Sequence, residues 1–289
     1  MRLQAISAGT GVPSDRFAGV VHSVFGRACN IRTDSDQLVA MLAPEHGNVP
    51  HGIRVRAPGD FAFARHLRAG QRVGCRAGVL RVAGSELAVD LRAAEIWQSG
   101  LAGLRIDLAR PAVALAWQVV REALQRHRRI VRDPMLLAVQ RSGQALLEAS
   151  RALDMARATT AIRSLIGCGP GLTPAGDDLI VGFLAGLWTS CGDDPARRRF
   201  VRALSVVVGS AAAGTGEISR AYLWHATQGD LAEPLADLAA AIGTGAPGHA
   251  VEDAAIRALR VGHTSGGDGV LGLLLGIQSF GPWGEPGHG

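Results

Sequence analysis

The residues best placed to do chemistry are three aspartates at two glycine-rich corners. The first corner, Gly167-Cys168-Gly169-Pro170-Gly171-Leu172-Thr173-Pro174-Ala175-Gly176-Asp177-Asp178, leads into the apolar stretch Leu179–Trp188. The second, Gly262-His263-Thr264-Ser265-Gly266-Gly267-Asp268-Gly269, leads into Val270–Ile277. Aligned without gaps, Thr173 falls on Thr264, Gly176 on Gly267 and Asp177 on Asp268. Thr173 before Pro174 predicts a helix start, with the threonine hydroxyl capping and the proline losing nothing at the first helical position. The glycine-rich loop permits positive φ and close approach to a ligand, and the free amides of a helix amino end can hold an anion. Each following segment carries two glycines four apart, Gly182 and Gly186, and Gly272 and Gly276. That spacing places each pair on one helix face. Two closely packed central helices are therefore expected to present their amino ends, and their aspartates, to one site.

Asp177, Asp178, Asp268 and His263 are the candidates for acid–base or electrostatic work. Gly169, Gly171, Thr173, Gly176, Thr264, Ser265 and Gly267 are the candidates for holding substrate. A helix amino end favours an anion by ~0.3–1 kcal/mol, whereas a carboxylate ~4 Å away opposes it by about 4 kcal/mol at an effective dielectric of 20. If the aspartates face the site, something must stand between them and the anion: a divalent cation, an arginine or an amide. Mg²⁺ suits oxygen ligands and would take Asp177, Asp178 and Asp268. The alternative is that the aspartates turn back onto their own helix ends and complement the dipole. Asp177 and Asp178 diverge by ~100° around a helix, so one of them at most faces the site squarely. His263 either orients substrate or caps the preceding helix end.

Several chemistries are excluded. The chain has 289 residues and no lysine, so all 30 basic residues are arginine. Pyridoxal phosphate has no amine to anchor it, and a P-loop has no lysine to complete it. Cys29, Cys75, Cys168 and Cys191 form no CxxC pair, so neither a disulfide framework nor a zinc site is expected. No GxSxG elbow is present, and Cys168 has no evident base beside it. The formal charge is +5, with one tyrosine, Tyr222. Arginine richness with few aromatics reads as composition rather than as a nucleic-acid surface. The dense run Arg121, Arg126, Arg128, Arg129, Arg132 reads as a solvated helix face. Ser219, Arg220 and Tyr222 offer either substrate contacts or packing. A metal site from Glu45, His46, Asn48 and His51 is disfavoured by Gly47 and Pro50 in the same loop. Met1–Gly19 has no signal-like apolar core, and the apolar runs are shorter than the ~20 residues of a membrane span, so a cytoplasmic protein with no membrane partner is expected.

The elements that must position the corners fall into two parts, an α+β arrangement. Residues 1–100 read as a small β-barrel or sandwich. The expected strands are Phe17–Phe25, Ala28–Arg32, Gln37–Leu42, Ile53–Arg56, Arg72–Arg76, Val79–Val82 and Glu86–Asp90, with one helix at Phe61–Arg68. Residues 101–280 change to helical period, with both corners inside an all-helical domain. The expected helices include one around Val113–Leu124, then Met135–Arg157, Ala158–Leu165, Pro174–Ser190, Pro195–Ala213, Glu217–Thr227, Leu231–Ile242, Ala250–Arg260 and Asp268–Ser279. Residues 281–289 read as a flexible tail.

Gly169 to Asp178 resembles the signature of the AllH family, and Gly262 to Asp268 resembles its second signature; the early segment Gly19–Ile31 is also similar. The resemblance covers nearly the whole chain. It implies a subunit of oxamate carbamoyltransferase, from anaerobic allantoin breakdown within purine degradation. Such a subunit works with two others on oxamate and carbamoyl phosphate, equivalently on oxalurate and phosphate. The family commonly has serine at the positions of Ala175 and Thr264. A looser likeness is to ADP-ribosylglycohydrolases, helical hydrolases that bind two Mg²⁺ through Thr and Asp at helix starts; Gly267-Asp268-Gly269 lacks the second Asp of their pattern. A third reading is a non-catalytic assembly subunit whose corners are packing devices.

Overall fold

The computed structural model describes residues 1–13, 16–130 and 135–281. Arg132 of the basic run and residues 282–289 of the expected tail lie outside these. The chain forms two compact units, Met1–Ser99 and Gly100–Gly289.

In the first unit several strands alternate buried and exposed side chains. The strands are β1 (Arg2–Gly9), β2 (Arg16–Val24), β3 (Ala28–Thr33), β4 (Leu38–Leu42), β5 (Gly52–Val55), β6 (Arg72–Arg76), β7 (Val79–Val82), β8 (Ala88–Asp90) and β9 (Glu95–Trp97). In β6, Val73 and Cys75 point inward while Arg72 and Arg76 are exposed, as a period of two requires. They meet Val82 and Leu80 of β7 in register. The pairing order β5-β4-β3-β2-β6-β7-β8-β1 closes on itself through β1–β5, making an eight-stranded barrel to which β9 adds beside β1. Eight strands leave an interior that side chains just fill. Here Leu3, Val21, Cys29, Ile31, Met41, Ile53, Phe63 and Leu80 are among those that fill it.

The barrel alternative of the expected fold is thus the one adopted, with two additions and one correction. β1 and β9 were not expected, because Ala5, Ser7, Ala8 and Gly9 are small and carry little strand signal. Yet β1 is the closing strand. The helix expected at Phe61–Arg68 is only a 3-10 turn, Phe63–Arg65. Phe63 of this turn and Leu67 just after it are both buried in the core of the unit.

The second unit contains α1 (Pro111–Ile130), α2 (Met135–Arg151), α3 (Met155–Leu165), α4 (Ala175–Ser190), α5 (Pro195–Ala211), α6 (Glu217–Thr227), α7 (Glu233–Thr244), α8 (Gly248–Leu259) and α9 (Ser265–Ser279). One expected helix, Met135–Arg157, is divided. Leu153 takes positive φ, and the Asp154 carboxylate accepts from the amides of Ala156 and Arg157, both at 3.0 Å, starting α3 afresh. A side-chain cap satisfies amides that would otherwise be orphaned, and here it outweighs continuity of the apolar pattern. α1 buries one stripe, Val113, Ala116, Trp117, Val120, Ala123 and Leu124. α4 and α9 are buried nearly all round, as helices apolar on every face must be. Among the described residues no helix is long and apolar enough to cross a membrane.

Candidate functional site

α4 and α9 lie backbone against backbone, and four glycines are the cause. A Cβ on Gly182 would sit 1.9 Å from the Gly269 carbonyl oxygen, and one on Gly272 would sit 2.0 Å from that of Leu179. One turn further, a Cβ on Gly186 would sit 2.5 Å from the Leu273 oxygen and one on Gly276 2.2 Å from that of Phe183. Any side chain at these positions would force the helices apart. The contacts advance along both helices together, so α4 and α9 run parallel, with both amino ends at the same place. They also repeat. The pair 182/269 becomes 272/179, and 186/273 becomes 276/183, when each α4 position is matched to the α9 position ninety residues later. The two helices are therefore related by a pseudo-twofold axis between them.

This packing corrects the ungapped alignment of the corners by one residue. Gly176 packs on the Leu165 carbonyl at the end of α3, and Gly266, rather than Gly267, packs in the same way on Ala258 near the end of α8. The structural counterpart of Asp268 is consequently Asp178, not Asp177. The expected Thr173 cap is also replaced. Pro174 holds the cap position of α4 without a side-chain bond. The Thr173 hydroxyl instead meets the Ser265 hydroxyl across the two helix ends, Oγ1 to Oγ 3.0 Å.

The three aspartates have three different surroundings. Asp177 is fully buried and turned away from the junction. Its Oδ1 accepts from the Gly167 amide at 2.9 Å, and its Oδ2 accepts from Thr215 Oγ1 at 2.5 Å and Ser219 Oγ at 2.7 Å. It ties the first corner to the start of α6. Asp268 is buried beside Arg128, whose Nη2 donates to Asp268 Oδ1 at 3.1 Å and to the Gly267 carbonyl at 3.4 Å. Burial pulls the Arg128 pKa down while Asp268 holds it up; arginine nonetheless stays charged at working pH. Asp178 is half-buried as a residue, but its Oδ2 is sealed from solvent and has no hydrogen-bond partner among the described residues. Burial pushes its pKa up to about 8, against the hydrogen-bonding influence of Ser265 and Thr173, with Asp268 and Asp177 adding to the rise. Tyr222 on α6 senses the same carboxylate: burial, then Asp178, raises the phenol to about 12.

Of the sequence-derived candidates, the junction brings together Thr173, Ser265, Asp178, Asp268 and Gly267. Thr264 stands at the cap position of α9 without a capping side-chain bond. Gly169 and Gly171 lie in the preceding loop at φ 121° and 99°, backbone that favours glycine. His263 is exposed. As a metal set, Asp177, Asp178 and Asp268 do not converge; among the described residues no group of three or more His, Cys, Asp or Glu could hold a metal ion. In the barrel unit, Glu45 is clamped by Arg27, with Nε to Oε1 2.5 Å and Nη2 to Oε2 2.9 Å, and Asn48 accepts from Ser7.

Arg128 was expected on a solvated face and is instead mostly buried in the junction. The signal was present, because Arg128 continues the stripe Val113, Trp117, Val120, Leu124 at helical spacing. Arg126 does lie outside, paired with Glu252 at 2.6 Å, and Arg121 stacks over Trp117 at 5.4 Å. His127 lines Gly267. Thr215, which holds Asp177, stands just before α6.

Comparison with known families gives two matches. Residues 165–277 match the model described as oxamate carbamoyltransferase subunit AllH, and residues 4–96 match the AllH family N-terminal domain. No solved structure matches the chain.

Proposed function

The chain belongs to the AllH family, and on that premise we propose that it is a subunit of a carbamoyltransferase complex that binds a small anion at the joined amino ends of α4 and α9. The substrates in this reading are oxamate and carbamoyl phosphate, or oxalurate and phosphate in the reverse direction, and other subunits complete the enzyme. The observation that carries it is the Thr173–Ser265 contact of 3.0 Å, which puts two helix amino ends at one point. Two positive dipole ends add where one alone is weak. The neighbouring carboxylates would cancel that attraction if both were bare. Arg128 offsets Asp268, which is the arginine the charge arithmetic asks for.

The work of such a site is positioning and electrostatic stabilisation. The amides of Gly169 and Gly171 and the hydroxyls of Thr173 and Ser265 would hold carboxylate or phosphate oxygens of the substrate. Asp177 would keep the loop in place from behind.

Thermal shift on the full chain tests the reading. Oxamate or carbamoyl phosphate at a hundred times its Kd should stabilise by ~2.7 kcal/mol, and the shift should vanish in the Thr173→Val/Ser265→Ala double variant. Equal shifts in wild type and variant would place the anion elsewhere.

A further inference from the structure

Asp178 and Asp268 hold equivalent positions on α4 and α9, yet among the described residues only Asp268 has a cation. Arg128 reaches Asp268 Oδ1 at 3.1 Å. Among the described residues, the groups that bear on Asp178 are Asp268 from α9, Asp177 from its own helix, Tyr222 from α6, and the hydroxyls of Ser265 and Thr173. None of these is positive. Asp178 Oδ2 is moreover shut away from water with no hydrogen-bond partner among the described residues, an arrangement that an ionised oxygen tolerates badly and a ligand or a proton relieves. A pair of like carboxylates whose environments differ is how one acid and one fixed charge are set apart in a site.

We infer that Asp178 is the neutral acid of this site: its carboxyl carries a proton and donates it as a hydrogen bond to an oxygen of the bound anion, while Asp268 stays ionised against Arg128. This rests on the anion-binding reading above. The raised pKa of about 8 agrees with it. The donated hydrogen bond turns what would be a repulsive group into an attractive one, and it makes anion binding conditional on that proton. A cation between the two aspartates is the competing way to neutralise them.

The experiment uses the full chain, with oxamate as an anion that does not itself titrate near neutrality. The first readout needs no ligand. The unfolded chain releases the Asp178 proton near pH 4 and the folded chain keeps it to about pH 8. The folded state thus binds more protons between those values, and stability falls as pH rises through that window. Asp178→Asn, shaped like the neutral acid, lacks this loss. Its Tm should gain on the wild type by about 5 °C or more between pH 5 and 8. Parallel curves would overturn the inference.

The second readout is oxamate affinity. Wild-type Kd should be level from pH 6 to 7.5 and weaken about tenfold per unit above pH 8. Asp178→Asn should bind at pH 6.5 and lose the pH dependence, whereas Asp178→Leu should bind at least about tenfold more weakly throughout. Wild-type binding that ignores pH would overturn this inference alone. No oxamate binding at any pH would overturn the anion reading with it. A third arm adds Mg²⁺ at pH 8: stabilisation of the wild type that is absent from Asp178→Asn would mean a cation, not a proton, joins the pair.

Discussion

The corner that opens α4 and the corner that opens α9 share a backbone plan and differ in what surrounds the aspartate. Both helices start behind a glycine pressed on the preceding helix, Gly176 on Leu165 and Gly266 on Ala258, and both place an aspartate two residues later. The α9 corner then receives an arginine from α1. The α4 corner receives hydroxyls, a phenol and, one position earlier, a second aspartate bonded inward to Gly167, Thr215 and Ser219. The difference teaches that close helix packing and polar chemistry are separable: the glycines decide where the acids meet, and the flanking elements decide what state each acid is in.

The largest expected effects test the shared plan. Gly182→Ala and Gly272→Ala each drive a methyl into a carbonyl and should cost about 3 kcal/mol or more, by nearly equal amounts in urea unfolding. A loss at one position and tolerance at the other would break the equivalence. Next comes Arg128→Met, which strands the buried Asp268 charge and should cost about 3 kcal/mol. Adding Asp268→Leu should recover most of it, and thermal unfolding of the three proteins is the check. Asp177→Ala removes the acceptor for three donors and should cost about 2 kcal/mol, seen as a lower denaturation midpoint; no such penalty is expected at its α9 counterpart, Gly267. The smallest effect lies at the hairpin entrances. α3 is capped by the Asp154 side chain, whereas α8 has Pro247 at its cap and no side-chain bond. Asp154→Ala should lower stability by ~1 kcal/mol, measurable by differential scanning calorimetry.

Legibility in the sequence followed the same division. The paired glycines four apart sufficed to place α4 and α9 together, because backbone proximity leaves no other residue type possible. The register between the corners was read one residue out. Threonine and aspartate identities favoured matching Thr173 with Thr264, whereas packing matches Gly176 with Gly266, and sequence cannot weigh a carbonyl contact against a hydroxyl. Strands with strong alternation, such as Arg72–Arg76 and Val79–Val82, were readable to their ends. β1 was not, since its small residues have weak preferences and its role comes from partners β5 and β8 that are far along the chain. Arg128 was hidden by its arginine neighbours, although its place on the buried stripe of α1 marked it.

The repeated helix pair also bears on how the site can change. In an assembly of two identical hairpins, every substitution beside one aspartate would appear beside the other, and the two acids would remain twins. A single polypeptide lifts that constraint. Residue 128 occurs once, so it can serve Asp268 and leave Asp178 untouched; Tyr222 likewise occurs once, on the side of Asp178. Covalent continuity, rather than any contact within the junction, is what lets two like halves acquire unlike neighbours one mutation at a time.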